Sequence, residues 1–65
     1  MRDGDTVRVR WTTRMFEHTS MSTDDVALAG DIVKVVEAPD EYRYIPVEHP
    51  VHGVRWIIRD NLETI

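Results

Sequence analysis

The chain has 65 residues, a formal net charge of −4 and no cysteine, with 42% hydrophobic and 31% charged residues. That composition fits one folded all-β domain near the lower size limit for an unstapled core, and it rules out disulfides and any thiolate zinc site. No apolar run approaches the roughly 20 residues needed to span a bilayer, and Met1-Arg2-Asp3-Gly4-Asp5 lacks the apolar core of a signal peptide, so a cytoplasmic protein without membrane contact is expected.

Gly4-Asp5 is a turn signal feeding a first strand. Val7, Val9 and Trp11 alternate there with Arg8, Arg10 and Thr12, and the pattern runs on loosely through Met15 to Phe16. Glu17 to Asp25 is polar and without period, which predicts a long loop. Ser22 to Asp25 has capping-box spacing ahead of Val26-Ala27-Leu28-Ala29, with Gly30 as a stop, so one helical turn and an extended hairpin arm both fit. The arm is the better fit, because six or seven residues are too few for a stable helix.

Gly30-Asp31 opens a second strand, Ile32 to Val36, apolar except at Lys34. Ala38-Pro39-Asp40-Glu41 is a turn, with Pro fixing φ at its second position and Asp favoured at the third. Tyr42 to Val47 is the third strand, and Pro46, which has no N–H for a ladder, places it at an edge or ends it. Glu48 to Gly53 is a loop. Val54, Trp56 and Ile58 alternate with Arg55, Ile57 and Arg59 in the fourth strand, Asp60-Asn61 breaks it, and Leu62 to Ile65 is a short fifth. Five strands of about five residues are therefore expected.

This order resembles the SH3-like small barrel. The run Asp25-Val26-Ala27-Leu28-Ala29-Gly30-Asp31-Ile32-Val33-Lys34-Val35-Val36 is similar to the family's acidic-apolar-Gly-Asp-apolar segment. Gly53 to Ile65 is similar to its closing segment. The resemblance implies a five-stranded barrel with a long first loop and a 3₁₀ turn before the last strand. It does not extend to the signalling members that hold proline-rich peptides. Their paired aromatics on the arm, strand-opening Trp, and Pro and Tyr in the 3₁₀ turn are replaced here by a Thr/Ser-rich arm, Glu41-Tyr42 and Arg59-Asp60-Asn61-Leu62. Fold alone does not carry function across.

Catalysis finds no support: there is no Ser-His-acid elbow, no Gly-rich phosphate loop and no thiol. His49 and His52, with His18 and Glu48, are the one candidate metal cluster. Their Pro-interrupted loop spacing instead favours solvent-exposed histidines with a pH response near about pH 6.5, and no cofactor or metal is expected. Arg8, Arg10 and Arg14 on the outward face of strand one, with Arg43 and the tyrosines, would suit nucleic acid, as in KOW and Tudor barrels. Pairing of these cations with Glu37, Glu48 and Glu63 is the plainer alternative. Trp11 and Trp56 point inward by alternation, as core anchors. Met15, Phe16 and Met21 would form an exposed apolar patch.

The expectation is a protein-interaction module. Its specificity would lie in the arm (His18, Met21, Asp24, Asp25) and the later loop (His49, His52), with Tyr42 and Tyr44 on an edge strand open to pairing with another chain. Arg outnumbers Lys seven to one, a usage common in GC-rich genomes. In a stand-alone chain of this length, that usage fits a small phage or mobile-element product that binds a host or virion protein.

Overall fold

The computed structural model describes residues 1–18, 21–37 and 43–65, with His18 as backbone only. Tyr42 and the turn Ala38-Pro39-Asp40-Glu41 lie outside the described residues. Among the described residues seven strands are present rather than five: β1 (Thr6–Val9), β2 (Thr13–His18), β3 (Met21–Ala27), β4 (Ile32–Val35), β5 (Tyr44–His49), β6 (Gly53–Ile58) and β7 (Leu62–Thr64). A 3₁₀ turn, Arg59–Asn61, precedes β7 where one was expected. All pairings are antiparallel, in a single open sheet ordered β3-β2-β6-β5-β4-β1-β7. Among the described residues no helix is long and apolar enough to cross a membrane.

Two short crossings force this sheet to curl. β1 and β2 are four strand positions apart in the order, about 19 Å in a flat sheet at ~4.8 Å per strand. The chain from Val9 to Thr13 reaches at most about 14 Å. The step from Ala27 in β3 to Ile32 in β4 also covers four positions, with a reach of at most about 17 Å. Neither step is possible unless the two halves of the sheet fold towards each other.

The concave face of that curl is the core. Val7 and Val9, Met15, Ala27, Val33 and Val35, Ile45 and Val47, Ile57 and Leu62 are all buried, so every strand contributes. In β1 these positions follow the sequence alternation. In β6 the faces are the reverse of those expected: Ile57 is buried opposite Ile45 of β5, while Val54 is exposed and Trp56 only half-buried, which corrects the assignment of Trp56 to the core. Met15 departs from expectation. It is fully buried, not part of an exposed patch, because β2 turns Met15 onto the core face with its neighbour Arg14 exposed on the other.

An extended arm rather than a helical turn is found: the end of β2 and β3 are its two sides, and β3 takes in Ser22 to Ala27. Its ladder is irregular: Arg14 pairs with Val26 and Phe16 with Ser22, so between these pairs Met15 alone faces Thr23, Asp24 and Asp25. Thr23 fills that bulge. Its hydroxyl donates to the Met15 carbonyl at 2.8 Å and accepts the Asp25 N–H at 3.2 Å.

β5 is a central strand between β4 and β6, which corrects the edge assignment made from Pro46. The proline is accommodated by register. Its carbonyl points to β4 and accepts the Val36 N–H at 2.9 Å, just past the last residue of β4. Its ring nitrogen therefore faces the end of the β4 ladder, where one hydrogen bond is forgone, and the pairing with Trp56 in β6 requires no donor from it.

Met15→Ala should lower the melting temperature by on the order of 10 °C or more, the effect of an interior cavity in a domain this small. Met21→Ala, at an exposed β3 position, should leave it nearly unchanged. Thermal denaturation of both variants separates core from surface methionine.

Candidate interaction surface

The first crossing is sealed by Asn61, whose side chain is fully buried. The Trp11 N–H donates to Asn61 Oδ1 at 2.9 Å, and Asn61 Nδ2 donates back to the Trp11 carbonyl at 3.1 Å. The Arg10 N–H donates to the Asn61 carbonyl at 2.8 Å. The primary amide thus imitates a strand partner at the corner where β1 has ended and β2 has not begun.

This clamp fixes the backbone of Trp11 and leaves its indole outside. Trp11 is 49% exposed, which overturns its assignment to the core: the alternation from Val7 and Val9 stops at the end of β1. Leu28 is 57% exposed. Its backbone runs beside the segment that follows Trp11, since Thr13 pairs with Ala27 and the Ala29 N–H donates to Thr12 Oγ1 at 3.0 Å. Trp11 and Leu28 were missed as surface residues because no property of their own flags them. The residue that exposes Trp11, Asn61, is 50 positions away.

The second crossing is sealed by Asp31. Its Oδ2 accepts the Leu28 N–H at 2.9 Å and lies 2.8 Å from His49 Nε2. The Asp31 N–H donates to the Leu28 carbonyl at 2.9 Å, closing a turn in which Gly30 takes φ of +93°. A side chain at that position would be strained. His49 is 5% exposed and belongs to β5, so it is not the solvated loop histidine expected. Its Nδ1 accepts the Val51 N–H at 3.1 Å. With Nε2 donating and Nδ1 accepting, the neutral Nε2–H tautomer satisfies both ring nitrogens.

The chain of polar contacts continues from His49. The His52 ring lies 5.0 Å from that of His49, and His52 Nδ1 is 3.4 Å from Asp25 Oδ1. Asp25 Oδ2 in turn accepts from Arg55 Nε at 3.1 Å. Asp25, His49 and His52 are therefore brought together and partnered from within. No group of three or more His, Cys, Asp or Glu among the described residues is arranged to hold a metal ion. The His49 hydrogen bond, then the Leu28 N–H, hold the Asp31 carboxyl below its ordinary 3.8; burial opposes this, and the charges of His49 and His52 add to the lowering.

The remaining candidates are dispersed. Phe16 and Tyr44 meet on the convex face, ring centroids 5.0 Å apart and tilted by 54°, and Phe16 is in register with half-buried Trp56. Met21 and Asp24 are exposed on β3, and Arg14 and Arg43 are exposed at β2 and just before β5. Arg8 Nε bonds Glu63 Oε1 at 2.8 Å, and Arg10 Nε lies 3.9 Å from Glu63 Oε2. The expected basic stripe thus loses two of its cations to cross-strand pairing with β7. Comparison of the chain with protein-family models, curated proteins and solved structures finds no match.

Asn61→Ala should cost about 1–3 kcal/mol in urea unfolding, since it strips the partners from the Trp11 N–H and carbonyl. The stability contributed by Asp31 should be complete above about pH 5 and be lost as pH falls through the lowered folded-state value. The stability gap between wild type and Asp31→Asn should accordingly narrow below about pH 4, as urea titrations across that range would register.

Proposed function

We propose that this protein is a non-catalytic interaction module with an SH3-like order of strands, docking an apolar segment of another protein on the surface formed by Trp11 and Leu28. The observation that carries the reading is the exposed indole on a backbone locked by a buried amide. A large aromatic that is both solvent-facing and preorganised loses little freedom on binding, and such residues dominate the energetics of protein interfaces. The strand order supports the fold assignment: a first strand, an arm of two strands, a three-stranded meander, a 3₁₀ turn and a closing strand. The pairing of Arg8 and Arg10 with Glu63, together with the net charge of −4, weighs against nucleic acid as the ligand.

Peptides selected from a random display library on the wild-type domain should bind Trp11→Ala at least about tenfold more weakly, and Leu28→Ala more weakly by a smaller factor. Both variants should keep the wild-type melting temperature. Binders indifferent to both substitutions, or no binders at all, count against this surface. Low-salt binding of labelled DNA or RNA that Arg8→Glu/Arg10→Glu abolishes would replace the reading with a nucleic-acid one.

A further inference from the structure

The seal at the second crossing gives both ring nitrogens of a buried histidine a hydrogen-bond partner. His49 donates from Nε2 to Asp31 and accepts at Nδ1 from the Val51 N–H. The same Asp31 oxygen accepts the N–H of Leu28. One buried imidazole therefore joins two exposed positions, Val51 in the turn between β5 and β6 and Leu28 in the turn between β3 and β4.

We propose that His49 and Asp31 form a proton-operated clasp: a second proton on His49, at Nδ1, expels the Val51 N–H and shifts the Leu28 turn through Asp31.

The geometry leaves the added proton no acceptor. Nδ1–H would point at a backbone N–H 3.1 Å away, donor against donor, so the ring or the turn must move. Asp31 already receives the Nε2 proton, and its attraction for an imidazolium does not restore the bond lost at Nδ1. The other charged or titratable groups around the ring are His52, Asp25 and Arg55. His52 is 5.0 Å away between ring centroids, so a charge on both imidazoles would be repulsive. Asp25 is shared between His52 and Arg55 and contributes its charge to those two partners. Glu48 and Lys34, in register with each other, lie on the opposite face of the sheet. The link from the clasp to ligand binding rests on the assignment of Leu28 to the docking surface. The clasp itself does not.

The test is amide and imidazole NMR on the full ¹⁵N-labelled chain, titrated from about pH 7.5 to about pH 5, the range in which imidazoles take up a second proton. At the neutral end the His49 ring nitrogens should report the Nε2–H tautomer. On acidification the Val51 amide should move with the same midpoint as those nitrogens, in the direction of a lost hydrogen bond, and Leu28 should follow. His49→Gln should make both amides insensitive to pH over this range, while His52→Gln should retain the transition. If His49→Gln does not fold, the wild-type and His52→Gln titrations decide. An Nδ1–H tautomer, a Val51 amide that stays fixed while His49 titrates, or a His49 that takes no proton in this range would each overturn the proposal. None of these readouts needs a ligand. A clasp that titrates without altering the affinity of a selected peptide would leave it standing and remove its link to the docking surface.

Discussion

The curl of the sheet is the constraint on which everything else depends. Three residues carry the chain from β1 to β2 and four carry it from β3 to β4, across distances that a flat sheet would not allow. Each crossing leaves backbone groups at a corner where no strand is available to pair with them. A side chain takes the place of the strand each time: the buried Asn61 amide at the first, and at the second the half-buried Asp31 carboxylate backed by buried His49. The apolar interior supplies the driving force for collapse, but these two polar groups determine where the chain can bend. They also explain why large apolar residues remain outside. Trp11 and Leu28 sit at the corners, where the alternation that would turn them inward has been interrupted.

Much of the fold was legible because period-two alternation is a local property. Val7 and Val9 were placed inward by it correctly, and the Gly4 and Gly30 turns and the 3₁₀ turn before the last strand were also expected, but in β6 the same alternation set Ile57 outside when it is buried. The errors have a common cause, which is pairing between distant residues. Trp11 was carried inward by an alternation that stops two residues earlier, and Met15 was set outside with Phe16 and Met21 because the sequence beyond it turns polar. Pro46 suggested an edge, yet it lies at the one register position where its neighbour β4 has ended. His49 was read as a solvated loop residue because nothing near it in sequence announces Asp31, 18 positions away.

The candidate site was legible only in outline. That the arm and the loop between β5 and β6 belong together follows once Asp25, His52 and Arg55 are seen in contact, and the sequence had singled out the first two. These side chains are partnered with one another, which makes them elements of the scaffold. The same holds for Arg8 and Arg10, whose partner Glu63 was among the acids considered.

The bulge in β3 has one more consequence. A sheet with two free ends is exposed to end-to-end growth, the route by which small all-β chains aggregate. β7 is only three residues long and offers little template. Among the described residues β3 is the longest strand, but Thr23 breaks its regular hydrogen-bond spacing and occupies the Asp25 N–H, and exposed Asp24 places a charge on that edge. The irregularity that bends the arm therefore also works as a guard on solubility, built into the strand most in need of one.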